Sequence, residues 1–399
     1  MQLLEDSQEA IKTHPQLPEV MYDNYTAQDN HELEKQSFCD EFEPMELNGM
    51  EEQQDFPLVD ENRELEYRFL RQIGQGAFGT VSEAVVIATG QQVAIKRVYQ
   101  SPNNLNREIK IVTELQHRNV IKSHSHFFAR GKENPEDIYL YIIMDYIPMT
   151  LHRMIRSFSK RGDIVPAILI KLFSYQLFRA LAYIRGLKVM HRDIKPSNIL
   201  IDMKDYRLVL CDFGSSKKFA PGEESVAYIC SRDYRAPELV LGMNKYDFAI
   251  DMWSAGCVLA EMVLGYSLFL GNNNKEHFLR IVNLLGPPTD SDLLAMQYPH
   301  MLTFPPEFRP IGLRNKLGSQ ADPELLDLLS KVFTFDPTKR IKPLQALCHP
   351  FFDELRKHQI FINQRPISLE LFDFTPEEVG SDKHLLSKLV PEWYQSSTK

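Results

Sequence analysis

The chain has 399 residues, of which 43% are hydrophobic and 25% are charged, an ordinary composition for a globular protein. It contains no uncharged apolar run of about 18 residues, so neither a membrane-spanning segment nor a membrane partner is expected. The net charge of −9 and the lack of a basic run with interleaved aromatic residues argue against a nucleic acid partner. The acidic N-terminus differs from a secretory signal, which predicts a cytoplasmic protein and leaves the nucleus open as a second compartment.

The charge is divided unevenly along the chain. Residues 1–64 carry 18 acidic and 3 basic side chains, and subtracting these from the chain totals of 54 and 45 leaves 36 acidic and 42 basic side chains over residues 65–399. We therefore expect a flexible acidic arm attached to a mildly basic body, which suits a body that binds phosphate-rich ligands. The arm is interpreted either as a solubilising tail or as a weak competitor for a cationic pocket of the body.

The predicted elements divide the body into two lobes. From Tyr67 onward, apolar strands joined by glycines are followed by a helix at 107–116 and a buried strand at 139–147. Helical spacing then dominates, at 165–186, 250–264, 275–285, 323–334 and 343–356. This order predicts an α+β fold with a small β-rich lobe, a larger helical lobe and a C-terminal extension, at about 65–145, 146–352 and 353–399.

A glycine-rich loop marks the expected nucleotide site. The segment GQGAFGTV at 74–81 fits GxGxxGxV, whose glycines let the backbone approach phosphates. Dinucleotide sites share the glycine spacing, but they need a helix after the loop and here a strand follows. Met144 is expected behind the base, with the backbone of Asp145 and Ile147 pairing with it. The residues predicted to contact the nucleotide are Ile73, Gly74, Gln75, Gly76, Ala77, Phe78, Gly79, Thr80, Val81, Ala94, Lys96, Met144, Asp145, Ile147 and Leu200.

A lysine inside an apolar strand requires partners, because burying an unpaired ammonium group is costly. Lys96 ends the apolar segment VAIK at 93–96, and Glu108 near the start of the next helix is its candidate partner, together with a phosphate. The alternative is an edge lysine that reaches solvent and an exposed helical glutamate, which is the usual arrangement for an isolated pair. The motifs on either side favour the buried pair.

The strongest chemical signal is an HRDxxxxN element that begins at residue 191 and a DFG triplet that begins at residue 212. In this pattern Asp193 orients an attacking hydroxyl, and Lys195 neutralises charge on the transferred phosphate. Asn198 and Asp212 supply the oxygen ligands that Mg²⁺ prefers. The pattern predicts transfer of the ATP γ-phosphate to a protein side chain. The residues predicted to be catalytic are Lys96, Glu108, Asp193 and Lys195.

Over about residues 65–355 the sequence resembles the eukaryotic protein kinases, and within them the glycogen synthase kinase 3 family. The segments that carry the narrower resemblance are CDFGSSK at 211–217, YICSRDYRAPEL at 228–239, HPFFDELR at 349–356 and LFDFTPEE at 371–378. It implies a bilobal kinase fold, ATP and Mg²⁺, and Ser/Thr substrates. Cyclin-dependent and mitogen-activated kinases usually carry a phosphorylatable Thr or Thr-x-Tyr where this chain has VAY at 226–228. A proline-directed kinase and an ATP-binding scaffold without transfer are the alternatives.

The resemblance also implies how the site is supported. Asp251 is expected to hold the backbone of the catalytic loop, and Arg340 is expected to be the buried partner of Glu238 at the end of the activation segment. Tyr228 falls at the family's activation-segment tyrosine, so we expect it to be phosphorylated, with Arg232 and Arg235 as partners of its phosphate.

The family prefers substrates that already carry a phosphate C-terminal to the target, and it reads this phosphate with three cations. Arg107, Arg192 and Lys217 match them, and convergent cations repel one another unless an anion joins them. The alternative is that Arg107 only flanks the helix glutamate and Arg192 only braces the activation segment.

Several segments depart from the family pattern. Asp233 replaces an aromatic residue and Ser197 replaces a glutamine, which leaves the fine substrate preference open. The segment at 287–322 diverges, so scaffold proteins at the helix 275–285 are a weaker expectation. The arm also lacks the basic, serine-containing inhibitory motif of the family.

Overall fold

A computed structural model describes the fold over residues 58–60, 65–76, 79–100, 107–131, 134, 136–318 and 321–397. Nearly all of the predicted acidic arm lies outside these residues, as do Ala77 and Phe78 of the glycine-rich loop.

The N-terminal lobe is built on an antiparallel six-stranded sheet with the order β1-β2-β3-β4-β6-β5. The sheet buries one apolar cluster that includes Tyr67, Ile95 and Tyr141. Its strands are β1 (Leu58–Asp60), β2 (Leu65–Gly76), β3 (Gly79–Val86), β4 (Gln92–Gln100), β5 (Ser123–Arg130) and β6 (Ile138–Asp145), and the helix α1 (Arg107–Val112) lies between β4 and β5 in the chain.

The C-terminal lobe and extension are mainly helical. Their helices are α2 (Leu151–Lys160), α3 (Ala167–Gly186), α4 (Pro237–Val240), α5 (Ala249–Leu264), α6 (Asn274–Leu285), α7 (Asp290–Ala295), α8 (Leu313–Leu317), α9 (Pro323–Val332), α10 (Pro343–Leu347), α11 (Asp353–Lys357), α12 (Pro376–Val379), α13 (Leu386–Leu389) and α14 (Glu392–Ser397). Their short strands are β7 (Met149–Thr150), β8 (Val189–Met190), β9 (Ile199–Asp202), β10 (Arg207–Leu210), β11 (Lys217–Lys218), β12 (Phe361–Ile362) and β13 (Arg365–Pro366). The predicted bilobal α+β fold is confirmed.

Two nearly all-apolar helices, α3 and α5, form the centre of the C-terminal lobe. Trp253 on α5 stacks on Phe269 and packs edge-on against Phe333, and Tyr175 on α3 packs against Phe352. Within the described part of the chain, α3 alone is long and apolar enough to cross a membrane, but 83% of its most apolar window is buried inside the protein. This burial is typical of a core helix.

Some predicted elements end earlier than the sequence pattern suggests. The helix predicted at 107–116 ends at Val112, because the chain turns and the Gln116 N–H donates to the Tyr183 hydroxyl at 2.7 Å. The helix predicted at 343–356 is interrupted after Leu347, since Pro350 cannot donate the hydrogen bond that a continuous helix needs.

A buried ion pair joins the C-terminal extension to α3. The Arg179 Nε and Nη2 donate to the two Glu378 carboxylate oxygens at 2.7 and 2.8 Å, and the two side chains are only 1% and 0% exposed. The same carboxylate accepts the Thr375 N–H at 2.7 Å and lies 3.4 Å from His117 Nε2. The extension therefore packs as part of the C-terminal lobe.

Candidate active site

The glycine-rich loop is a tight antiparallel hairpin between β2 and β3, in which Gly76 lies opposite Gly79. Gly79 has φ of 140°, and a Cβ atom there would lie 2.0 Å from the Arg97 carbonyl oxygen. Only glycine fits this position without moving β4. The close approach of β3 to β4 also sets Val81 opposite Lys96.

The expected walls of the nucleotide site lie on β4, β6 and the linker that follows β6. Ala94 is paired with Met144 across these two strands, and both side chains are buried, as is Ile147 in the linker. Leu200 is partly buried on β9, where it is paired with Thr150. Asp145 uses its carboxylate to bind the His124 ring at 2.7 Å.

Lys96 is buried between two carboxylates. Its Nζ donates to Glu108 Oε1 at 2.7 Å and to Asp212 Oδ1 at 2.8 Å. The contact with Glu108 is the predicted pair, and Asp212 adds a second carboxylate. Burial alone would lower the pKa of Lys96, but the two carboxylates outweigh it and hold the pKa above its ordinary value. The ammonium group is therefore charged, and it joins α1 to the DFG triplet.

The first turn of α5 holds the backbone of the catalytic loop through hydrogen bonds. The two Asp251 carboxylate oxygens accept the N–H groups of His191 and Arg192 at 2.8 and 2.9 Å, as predicted. Arg192 has φ of 66°, an unusual conformation for a residue with a side chain. The His191 ring contacts the Cys211 carbonyl at 3.0 Å and packs edge-on against Phe213.

Asp193 lies at the centre of a polar group, and 16% of its side chain is exposed. One carboxylate oxygen accepts the Ser231 N–H at 3.0 Å and its hydroxyl at 2.9 Å. The other oxygen is 3.0 Å from both Lys195 Nζ and Asn198 Nδ2. The Ser231 hydroxyl also accepts from Lys195 at 2.9 Å. Three side chains thus converge on one carboxylate, and Ser231 comes to it from 38 positions further along the chain.

Asp212 and Asn198 offer oxygen atoms suited to a divalent cation. The Asn198 amide nitrogen donates to the Asp193 backbone carbonyl at 2.9 Å, which fixes the orientation of the side-chain amide. Burial alone would raise the pKa of Asp212, but the neighbouring Lys96 ammonium group outweighs burial. The pKa of Asp212 therefore lies below its ordinary value, and the carboxylate is ionised. An amide oxygen and a carboxylate are the donor types that Mg²⁺ prefers, so these residues fit the ion.

The end of the activation segment is held by a second buried ion pair. The Arg340 Nη1 and Nη2 donate to the two oxygens of Glu238 at 2.8 and 3.0 Å, as predicted. Arg340 also donates to the Ala249 carbonyl at 2.8 Å, which fixes the segment to the start of α5.

Two of the three predicted phosphate-reading cations meet beside the activation segment. Lys217 Nζ donates to Ser225 Oγ at 2.7 Å, and Arg192 Nη1 donates to the Tyr246 hydroxyl at 3.2 Å. The Tyr246 hydroxyl donates in turn to the carbonyl of Val226, the residue after Ser225, at 2.8 Å. We call Arg192, Lys217, Ser225 and Tyr246 the basic cluster. The side chain of Arg107, the third cation, lies outside the described residues.

Tyr228 is presented to solvent with 68% of its surface exposed. Hydrogen bonds from Arg235 and Arg232 lower the pKa of its hydroxyl, and the Arg235 guanidinium lies 4.1 Å from the centre of its ring. The two predicted arginines therefore surround this hydroxyl.

The sequence pattern did not reveal every residue of the site. Ser231, Ser225 and Tyr246 were not singled out, since a serine or tyrosine near a motif has no distinctive spacing. Ser231 is the serine of the YICSRDYRAPEL segment at 228–239, and that position was the available signal.

The fold and this site define an enzyme that transfers phosphate from ATP to a protein. The protein kinase domain family matches residues 67–352, so the chain belongs to the protein kinase family. It is also 39% identical over 338 residues to Protein kinase gsk3 of Schizosaccharomyces pombe, which covers 83% of this chain and 87% of that protein. The chain is a serine/threonine protein kinase similar to glycogen synthase kinase 3. Enzymes of this family act on protein substrates with ATP and typically a divalent metal ion.

Proposed function

We propose that this kinase phosphorylates Ser or Thr residues of proteins that already carry a phosphate a few residues C-terminal to the target. The observation behind the proposal is the basic cluster, in which Arg192 donates to the Tyr246 hydroxyl and Lys217 donates to the Ser225 hydroxyl. Guanidinium, ammonium and hydroxyl groups are the donors that bind a phosphate dianion best.

The position of the basic cluster favours a substrate phosphate over a purely structural role. Arg192 directly precedes Asp193, and β11 pairs Lys217 with Met190, so both cations lie beside the catalytic loop. Arg192 also donates to the Ser215 carbonyl at 2.6 Å, which is the bracing contact of the alternative interpretation. The bracing contact is made by the Arg192 Nε atom, whereas the terminal Nη1 atom donates to the Tyr246 hydroxyl of the cluster.

In the proposed transfer, Asp193 accepts the hydrogen bond of the substrate hydroxyl and orients its oxygen toward the γ-phosphorus. The oxygen–phosphorus bond forms as the bond from the γ-phosphorus to the bridging oxygen of the β-phosphate breaks, the hydroxyl proton passes to the Asp193 carboxylate, and ADP leaves. Lys195 neutralises the transferred group, while Lys96 holds the nucleotide phosphates. Mg²⁺ held by Asn198 and Asp212 would neutralise phosphate charge when bound.

A pair of peptides tests the primed preference. One carries phosphoserine four residues C-terminal to the target serine, and its twin carries serine there. We expect a higher kcat/KM for the phosphorylated peptide, and a proline placed after the target should have little effect. Lys217→Ala should raise KM for the phosphorylated peptide only, whereas the matched control Lys218→Ala, whose partner is Glu114, should not. Equal kcat/KM values for the two peptides would refute the proposal.

Two further expectations remain part of this proposal. Scaffold proteins would bind at α6, where Lys275 is exposed while Phe278, Ile281 and Val282 face the core. The polar outer face favours a partner that binds through charge rather than through apolar contact. We also propose a cytoplasmic and nuclear location, which microscopy of a tagged chain would check.

A further inference from the structure

We propose that Glu223 is a built-in competitor for the basic cluster, and that its carboxylate sets how strongly the enzyme binds substrates with an anionic group. The inference rests on the proposed function, since it concerns the same cluster. It assigns to Glu223 a part in substrate specificity without any contact with the reacting atoms.

The contacts of Lys217 support the assignment. Glu223 Oε1 lies 2.8 Å from Lys217 Nζ, the same ammonium group that donates to Ser225 Oγ at 2.7 Å. Lys217 is only 18% exposed, whereas Glu223 is 49% exposed. A carboxylate of the protein therefore holds one of the two described cations of the cluster, and it can swing into solvent when another anion arrives.

The backbone directs Glu223 to this place. Gly222 has φ of 77°, a left-handed conformation that suits glycine, and the Glu223 N–H donates to the Ala220 carbonyl at 3.2 Å. Two residues later the Ser225 N–H donates to the Asn244 carbonyl at 2.7 Å. The turn is thus fixed at both ends, and the glutamate side chain needs no ordering of the main chain to reach Lys217.

The neighbouring carboxylate provides a matched control. Glu224 lies 3.5 Å from Lys245, which is outside the basic cluster, and both of these side chains are largely exposed. Neutralising Glu224 changes the net charge of the turn as much as neutralising Glu223 does. Only the neutralisation of Glu223, however, removes the ion pair with Lys217.

The expected size of the effect follows from mass action. In the closed state Glu223 contacts Lys217, and in the open state it lies in solvent. If K is the ratio of closed to open molecules, the affinity of the cluster for any added anionic group is reduced by the factor 1 + K, whatever the charge of that group. Partly exposed ion pairs contribute at most about 1 kcal/mol, so K is at most about 5 and the factor lies between about two and six. A phosphate still binds, because it has more charge and more acceptor oxygens than the carboxylate it displaces.

The experiment uses the full chain, the variants Glu223→Gln and Glu224→Gln, and three peptides with phosphoserine, glutamate or serine four residues after the target. For Glu223→Gln we expect KM to fall about two- to sixfold for the phosphoserine and glutamate peptides, with their ratio unchanged. Glu224→Gln should match the wild type on both peptides. The serine peptide has no group for the cluster, so the two variants should give the same kcat/KM with it.

The outcomes separate this inference from the proposed function. A wild-type enzyme that uses the phosphoserine and serine peptides equally would refute the proposed function. A wild-type enzyme that prefers the phosphoserine peptide, together with an unchanged KM in Glu223→Gln, would overturn the competitor alone. A fall in KM of equal size in both variants would also overturn it, because a general effect of charge would then explain the result.

Discussion

The buried pair of Arg179 and Glu378 predicts a specific loss of stability. In Glu378→Gln the amide keeps one acceptor oxygen, but the Arg179 guanidinium loses its counter-charge in a site that is almost closed to solvent. Removing one partner of a buried pair typically costs 3–5 kcal/mol, and we expect about 3 kcal/mol because Arg179 keeps its hydrogen bond to the Glu370 carbonyl.

This free energy can be converted into a change of Tm. Unfolding of residues 65–397 carries an entropy of about 0.7 kcal/mol per kelvin, at about 2.1 cal/mol/K for each residue. A loss of about 3 kcal/mol therefore lowers Tm by about 4 °C. The measurement is calorimetry of both proteins at pH 7.5, with kcat determined on the same samples.

The adjacent residue supplies the control for this measurement. Glu377 is exposed, so Glu377→Gln should change Tm by less than about 1 °C. If Glu378→Gln unfolds at the wild-type temperature, or if both variants lose the same amount, the burial argument is refuted.

Three other changes test the site and its surroundings. Asp193→Asn should lower kcat by about 10²–10⁴ while the Kd for ATP, measured by calorimetry, stays within about twofold; an active variant would contradict its role. Gly79→Ala should raise KM for ATP about tenfold, because its Cβ atom would lie 2.0 Å from the Arg97 carbonyl oxygen, whereas Gly76→Ala meets no atom within 4 Å and should have a smaller effect. Burial raises the pKa of Glu261 to about 7 from an unfolded value near 4.5, so the folded state binds more protons between these values and stability falls as the pH rises through them. Glu261→Gln removes this loss, and its gain in Tm over the wild type should be larger at pH 8 than at pH 5.5; an equal gain at both pH values would contradict the shift.

The parts of the site that lie within recognisable motifs could be predicted from the sequence. Lys96 needed a carboxylate partner on physical grounds, and Glu108 was near enough in the chain to be chosen. The pair of Glu238 and Arg340 spans 102 positions, and only the family resemblance allowed it to be predicted. Its burial, and the contact of Arg340 with the Ala249 carbonyl, required the structure.

Contacts without a motif could not be predicted. Arg179 lies on an apolar helix where the spacing gives no sign of a partner 199 residues further on. Glu223 and Glu224 are adjacent in one turn, and no feature of the sequence distinguishes the one that contacts Lys217. The early end of α1 at Val112 depends on a hydroxyl from α3, and periodicity within the segment contains no information about that hydroxyl.

The helix α5 gives the enzyme a fixed frame for one of its two substrates. Its first turn holds the catalytic loop through Asp251 and accepts Arg340 through the Ala249 carbonyl, and the Ser254 hydroxyl donates to the Tyr234 carbonyl at 2.6 Å. All three contacts lie within the C-terminal lobe, whereas Lys96 belongs to the sheet of the other lobe. Movement of the sheet as ATP enters and ADP leaves would therefore leave the anchors of the catalytic loop and of the activation segment in place.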